Sequence, residues 1–153
     1  MNHPHHPIES VLPHTAPMIL IDSLESYDEI SGRCLVTITP QSNFYDPELK
    51  QVPSHVGIEY MAQTIAAYAN ANQVDSGAKV EVGFLVSSRK YKMHCTGFSL
   101  NSTLTIEVEK LYSEESGLSA FECTIKEGDV LLVDAKINVF QPENPSQFLA
   151  EQI

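Results

Sequence analysis

A single carboxylate lies in an apolar, alanine-rich stretch of the chain. Between Lys50 and Asp75 the sequence reads QVPSHVGIEYMAQTIAAYANANQV, and Glu59 is its only charged residue. If this stretch folds into a core helix, the carboxyl group loses its hydration, which favours its neutral form and raises its pKa. A buried carboxyl group of that kind is a candidate acid or base.

Glu59 has a structural interpretation and a catalytic one. In the structural interpretation its carboxyl group hydrogen-bonds to backbone or to Gln63, one helical turn later on the same face. Catalysis needs a second titratable group, because proton transfer to and from carbon usually takes a paired acid and base. His55, four residues earlier, would share a helical face with Glu59, and His14 lies between two prolines that fix its backbone. His94 we interpret as a surface residue.

The start of the predicted helix can also contribute to chemistry. Around His55 to Gly57 the first backbone N–H groups have no intrahelical acceptor, and the positive end of the helix dipole can stabilise an oxygen that becomes negative. That oxygen could belong to a thioester or an acid. Gly57 costs the helix about 1 kcal/mol relative to alanine. A glycine here is explained if its missing side chain leaves room either for a substrate or for a crossing strand.

Hydrophobic patterning predicts one helix and six strands. Two strands joined by a polar turn around Ser31 and Gly32 should form a hairpin. A loop follows, then a helix of about twenty residues with Ser54 as its N-cap. Because the helix is apolar nearly all round, we expect an α+β fold in which an antiparallel sheet wraps around one central helix. The predicted strands are residues 17–24, 33–39, 79–92, 103–109, 121–126 and 131–139.

Composition indicates one globular domain. The 153 residues are 42% hydrophobic and 19% charged, which suffices for one core. We divide the chain into an N-terminal arm (1–11), a domain (12–141) and a C-terminal tail (142–153). No apolar run is long enough to span a bilayer and no signal peptide is recognisable, so we expect a cytoplasmic protein. The three cysteines lack CxxC spacing, and HxxxE lacks two further ligands, so neither a disulfide framework nor a metal site is expected.

The formal charge of -11 argues against nucleic-acid and anionic-membrane partners, which require a basic surface. Arg89, Lys90 and Lys92 nevertheless make up a third of the nine Lys and Arg residues. In a strand, Lys90 and Lys92 would share one face with His94, while Arg89 and Tyr91 would share the other. The cluster is either a solvated edge strand or a docking patch for an acidic or phosphorylated partner.

Several motifs together resemble those of a known family. LPHTAPMILID is similar to the opening LPHRYPFLLVD of the hot dog fold beta-hydroxyacyl-[acyl-carrier-protein] dehydratases. VPSHVGIEYMAQ is similar to their helix motif PGVLIIEAMAQ, and GFLVSSRKYKMH lies where they have an Arg-Phe-Lys-Arg strand. The resemblance covers residues 12–141, and NVFQPE at its end is closest to the dehydratase-like proteins of aryl polyene clusters.

The resemblance implies a hot dog fold and roles for particular residues. Glu59 takes the place of the family's catalytic glutamate, whereas Tyr45 stands where the family's loop histidine should be. We therefore favour His14 as the base and place His55 second. No cofactor is expected, because the substrate arrives on the phosphopantetheine arm of a carrier protein. The residues expected to contact substrate are Gly57, Gln63, Gly83 and Phe84.

The implied activity is dehydration of 3-hydroxyacyl-[acyl-carrier-protein] thioesters to trans-2-enoyl thioesters. It would serve aryl polyene or fatty-acid-like chain elongation. One alternative is a non-catalytic hot dog subunit that binds acyl chains or pairs with another dehydratase, and another is an acyl thioesterase. Arg89, Lys90 and Lys92 would dock the acidic acyl carrier protein. The assembly implied is a homodimer or a heteromer with another hot dog protein.

Overall fold

In the computed structural model, which describes residues 6–12, 18–77 and 85–140, the apolar stretch around Glu59 forms one long helix. A short helix α1 (Ile8–Val11) precedes it, and the long helix α2 runs over Gly57–Asp75. At 19 residues, α2 has the predicted length. It is buried on most sides, as expected of a helix at the centre of the core.

An antiparallel sheet packs against α2, and the chain also forms a second, smaller sheet. The strands of the two sheets are β1 (Ser23–Tyr27), β2 (Ser31–Thr37), β3 (Gln51–Pro53), β4 (Leu85–Met93), β5 (Gly97–Ser99), β6 (Thr103–Ser113), β7 (Leu118–Glu127) and β8 (Val130–Phe140). The larger sheet has the order β1-β2-β6-β7-β8-β4, and β3 pairs with β5 in a two-stranded sheet. All pairings between these strands are antiparallel, which confirms the predicted α+β architecture.

The element order agrees with the sequence prediction, apart from differences in the first hairpin and in two short strands. The first hairpin forms, but its first strand begins at Ser23, and its turn centres on Asp28 to Ser31. Residues 79–84 of the strand predicted after the helix lie outside the described ranges. The pair β3 and β5 is missing from the prediction because three residues are too few to show a period.

The sheet has one buried and one outward face, which β8 illustrates. Val133 and Ala135 are buried, whereas Asp134 is half-buried and Lys136 exposed. Helix α2 packs against the buried face, mainly over β2 and β6. Alternate residues of each strand therefore face either α2 or the opposite side of the sheet.

The core extends into the segment that the sequence division places in the N-terminal arm. Ile8 and Val11, both in α1, are buried with the residues of the main core. His6 contacts Asp75 at the end of α2, with 2.8 Å between Nε2 and Oδ1. Residues 6–11 are thus attached to α2 by packing and by a polar contact.

Strand β4 is an open edge of the larger sheet. Among the described strands it pairs only with β8, and every side chain from Val86 to Lys90 is exposed. Its register shifts between Ser88 and Lys90, which makes Arg89 an extra residue in the strand. On this edge the side facing α2 also carries exposed apolar groups, with Val86 40% and Met93 49% exposed.

Neither described helix is both long and apolar enough to cross a lipid bilayer. Within the described ranges, no group of three or more His, Cys, Asp or Glu side chains could hold a metal ion. Cys34 and Cys123 are buried in strands and Cys95 is half-buried, and all three thiols are free. Burial raises the pKa of Cys34 and of Cys123 to about 12, which suits small core residues.

Candidate functional site

Glu59 lies in the first turn of α2, and its side chain is exposed. The expected burial is therefore wrong for this single chain. The first turn is covered on the side of Gly57, whereas Glu59 points away from the core. Its neighbour Tyr60 points inward and is 2% exposed. In this chain, Glu59 is open to a substrate or to a second chain.

His55 does not form the expected pair with Glu59. It lies in a 3-10 turn, Ser54–Val56, that precedes α2, and its side chain is exposed. A 3-10 turn has three residues per turn, so the i, i+4 stacking of an α-helix does not apply across this junction. Among the described residues, the two side chains form neither a hydrogen bond nor an ion pair.

The start of α2 is fixed by hydrogen bonds from strands rather than by a cap. The predicted N-cap role of Ser54 is wrong, because its hydroxyl donates to Sδ of Met93 at 3.1 Å and makes no capping bond. The amide of Ser54 donates to the carbonyl of Thr96 at 3.2 Å. Its carbonyl accepts the hydroxyl of Tyr91 at 2.6 Å. The edge strand β4 and its continuation therefore hold the end of α2 nearest Glu59.

Gly57 makes room for protein atoms and not for a ligand. A Cβ at this position would collide with the Tyr91 hydroxyl and would lie 2.8 Å from Cδ1 of Ile125 and 3.1 Å from Cζ of Phe98. Side chains from three strands thus fill the space beside its Cα, as expected if the glycine makes room for strands. The contact of Gly57 with substrate stays a prediction. Burial raises the pKa of Tyr91, and the nearby Cys95 thiol adds to this effect, so the phenol stays a hydrogen-bond donor.

Gln63 is buried and bonds to the protein backbone through both ends of its amide. Its Nε2 donates to the carbonyl of Met18 at 2.8 Å, and its Oε1 accepts the amide of Leu20 at 2.9 Å. These bonds anchor the segment before β1, and they take the place of the bond to Glu59 that the structural interpretation expected. The contact of Gln63 with substrate stays a prediction.

Arg89, Lys90 and Lys92 are all exposed on the open edge strand. The register pairs Lys90 with Lys136 and Lys92 with Asp134, so both lysines lie on the face away from α2. His94 joins this face, as predicted, through a 2.7 Å contact between its Nε2 and Oδ2 of Asp134. Arg89 departs from the predicted alternation because it is the extra residue at the register shift.

Comparison with known proteins gives the family. A family model described as ApeP-like, ApeP dehydratase, matches residues 6–150. The chain belongs to the ApeP-like dehydratase family. None of the curated proteins matches the sequence.

Solved structures agree on the fold. A chain of the dehydratase heterocomplex ApeI:P from Xenorhabdus doucetiae has a TM-score of 0.89 and 24% identity, covering 97% of this chain and 99% of that one. An HP0420 homologue from Helicobacter felis has a TM-score of 0.62 and 13% identity over 86% and 98%. A mutant of the thioesterase SAV0944 from Staphylococcus aureus has a TM-score of 0.56 and 13% identity over 77% and 90%. The fold is the hot dog fold, as the sequence resemblance implied.

Tyr45 occupies the position at which the sequence resemblance implies a loop histidine. It is half-buried and packs against the core, and its amide donates to the carbonyl of Ser42 at 3.1 Å. The preceding residue, Phe44, has a φ of 67° and is 64% exposed. Because a bulky residue rarely adopts positive φ, this loop presents its aromatic side chain at a conformational cost.

Three of the predicted site residues, His14, Gly83 and Phe84, lie outside the described ranges. Their predicted roles in catalysis and substrate contact therefore stay predictions.

Two residues that the sequence analysis missed lie within the described ranges. Asn70 is a fully buried amide on α2, and a polar residue in so apolar a helix was a signal of the same kind as Glu59. Lys136 is the second, because it extends the cationic cluster across the sheet. It is far from Lys92 in sequence, and local spacing could not reveal it, since only sheet pairing brings β8 beside β4.

Proposed function

We propose that this protein dehydrates 3-hydroxyacyl-[acyl-carrier-protein] thioesters to trans-2-enoyl thioesters, in aryl polyene or fatty-acid-like chain elongation. The observation that carries the proposal is Glu59, exposed in the first turn of α2 in a chain of the ApeP-like dehydratase family. An exposed carboxylate at the open start of a central helix is accessible to a thioester substrate.

The reaction divides between a base and an acid. A histidine removes the proton alpha to the thioester carbonyl, and Glu59 in its protonated form gives a proton to the departing hydroxyl, which leaves as water. We propose His14 as the base, with His55 as the second candidate. The first N–H groups of the helical start, at His55 and Val56, would stabilise the enolate oxygen as its charge develops.

A second hot dog chain fits two observations on this one. Strand β4 has one edge that no other described strand pairs with, and exposed apolar groups lie on its side that faces α2. Glu59 is exposed on α2, on that same side of the sheet. A chain paired at this edge would cover Glu59 and exclude water from a substrate bound beside it. The similar Xenorhabdus protein belongs to a dehydratase heterocomplex, which supports tests with a hot dog dehydratase as partner.

The cationic cluster supports carrier-protein docking. Lys90 and Lys92 lie on the outward face, whereas Tyr91 between them reaches the start of α2. Only the thickness of one edge strand therefore separates the two faces. An acidic carrier protein held at the lysines could pass its phosphopantetheine arm around this edge toward Glu59.

Mass spectrometry separates the candidate activities. The purified chain, alone and with a hot dog dehydratase partner, is incubated with a 3-hydroxyacyl carrier protein, and enoyl product and free thiol are followed. We expect enoyl product that falls at least ~100-fold in Glu59→Gln, with parallel His14→Ala and His55→Ala variants identifying the base. Free thiol instead would identify a thioesterase. Binding without either product, in every assembly, would identify a non-catalytic subunit, the function that Tyr45 at the histidine position favours.

Docking has its own test. The double variant Lys90→Glu/Lys92→Glu should bind the carrier protein about tenfold more weakly at low salt, and the difference should shrink at high salt. The matched control is Lys50→Glu/Lys126→Glu, which changes the net charge equally at positions outside the cluster. Equal weakening by both double variants would show that net charge, and not this cluster, governs binding.

A further inference from the structure

Two buried amides lie on the same face of α2 as Glu59. With 3.6 residues per turn, positions 59, 63 and 70 fall within about 40° of one another around the helix. Gln63 is 2% exposed and Asn70 is fully buried. The face therefore begins with an open carboxylate and continues with two covered amides.

Both amides hold the backbone of the N-terminal segment. Gln63 bonds to two alternate residues, accepting from the amide of Leu20 and donating to the carbonyl of Met18. Asn70, roughly 10 Å further along the helix axis, donates through Nδ2 to the carbonyl of Val11 at 2.9 Å. Val11 therefore lies beside the later part of α2, and residues 18–20 lie beside its earlier part.

Packing alone does not require amides at these positions. The net contribution of a hydrogen bond to stability is small, and a leucine or methionine of similar volume would fill the space with comparable stabilisation. An apolar side chain, however, makes no directional bond. A buried amide fixes the position of the backbone groups to which it bonds, because a displaced backbone would leave the amide unpaired and lower the stability of the fold.

We propose that Gln63 is a positioning residue that fixes the backbone of residues 18–20 one helical turn from Glu59. Together with Asn70 it secures both flanks of the stretch that contains His14 in the sequence. The catalytic consequence rests on the proposed function, because His14 is the proposed base. Gln63 would act through that backbone and would not touch the substrate.

Hydrogen exchange tests the anchor without reference to catalysis. The Leu20 amide has Gln63 as its acceptor, so Gln63→Met should accelerate its exchange at least ~tenfold, whereas Gln63→Glu keeps an acceptor and should restore most of the protection. Asn72→Leu is the matched control, since its amide donates to the carbonyl of Asp28 instead. Unchanged exchange at Leu20 in Gln63→Met overturns the proposal.

Kinetics test the consequence. With the assembly that dehydrates the 3-hydroxyacyl carrier protein, Gln63→Met should lower kcat by about 10- to 100-fold with KM changed less than about threefold, and Gln63→Glu should recover part of kcat. Asn72→Leu should leave kcat unchanged. An unchanged kcat in Gln63→Met, despite faster exchange at Leu20, overturns the positioning role. If the wild-type assembly forms no enoyl product, the proposed function fails, and exchange at Leu20 alone decides whether the anchor exists.

Discussion

Polar side chains at the start of α2 differ from those in its later turns in burial and in hydrogen bonding. Glu59 in the first turn, and His55 in the 3-10 turn just before it, are exposed and do not bond to each other. Gln63 and Asn70 are buried and bonded to distant backbone. The same helix thus contains polar groups that the chain satisfies itself and polar groups that it leaves open. The satisfied groups position backbone, and the open groups are the ones available for chemistry.

The largest effect should come from the closed side of the first turn. Gly57→Val would push atoms into Tyr91, Ile125 and Phe98, and we expect a loss of about 3 kcal/mol in the free energy of unfolding. Urea denaturation measures this loss. Ala62→Val, at a half-buried position one turn later, should cost much less. Similar midpoints for the two variants would mean that the first turn is not closed on this side.

A smaller loss is expected at the buried amides. Asn70→Leu leaves the carbonyl of Val11 without its donor, and we expect the free energy of unfolding to fall by about 2 kcal/mol. Asn72→Leu, at a half-buried amide, should cost under half as much. Equal losses in the two variants would remove the distinction between covered and open polar groups.

The buried Tyr60, next to the exposed Glu59, should make the free energy of unfolding depend on pH in the alkaline range. Burial, and next the charge of Asp22, raises the pKa of Tyr60 to about 12 from its ordinary value of 10. A raised pKa gives stability that is complete below about pH 10 and is lost as the pH rises toward about 12. By about pH 11 the loss is about 1.4 kcal/mol for one such residue. Chemical denaturation at about pH 9 and about pH 11 should therefore show a smaller drop in Tyr60→Phe than in the wild type. An identical drop would show that Tyr60 titrates normally.

The smallest effect should be at the open end. Glu59→Gln should change the free energy of unfolding by less than about 0.5 kcal/mol, because the side chain is exposed and has no partner among the described residues. Thermal and urea denaturation of the single chain measure it. A large loss in this variant would contradict the exposed position, and a large gain would indicate that the carboxylate is strained in the folded chain.

The sequence predicted the elements better than the contacts of the site. Alternating apolar residues in β6, β7 and β8 and the apolar length of α2 are local patterns, so the architecture followed from them. The exposure of Glu59 depends on where the sheet ends, which no local pattern shows. The partners of Gln63 are 43 and 45 residues away in sequence, whereas helical spacing suggested only Glu59.

The register shift at Arg89 has a consequence for the choice of partner strand. In a regular edge strand, every second residue turns its N–H and C=O groups outward. An extra residue shifts this alternation of hydrogen-bonding groups by one position. A regular strand laid along β4 can therefore match the residues before Arg89 or those after it, but not both. Pairing along the full length of β4 requires a partner strand with a matching irregularity. The edge therefore selects partner strands by their hydrogen-bonding register, independently of their side chains.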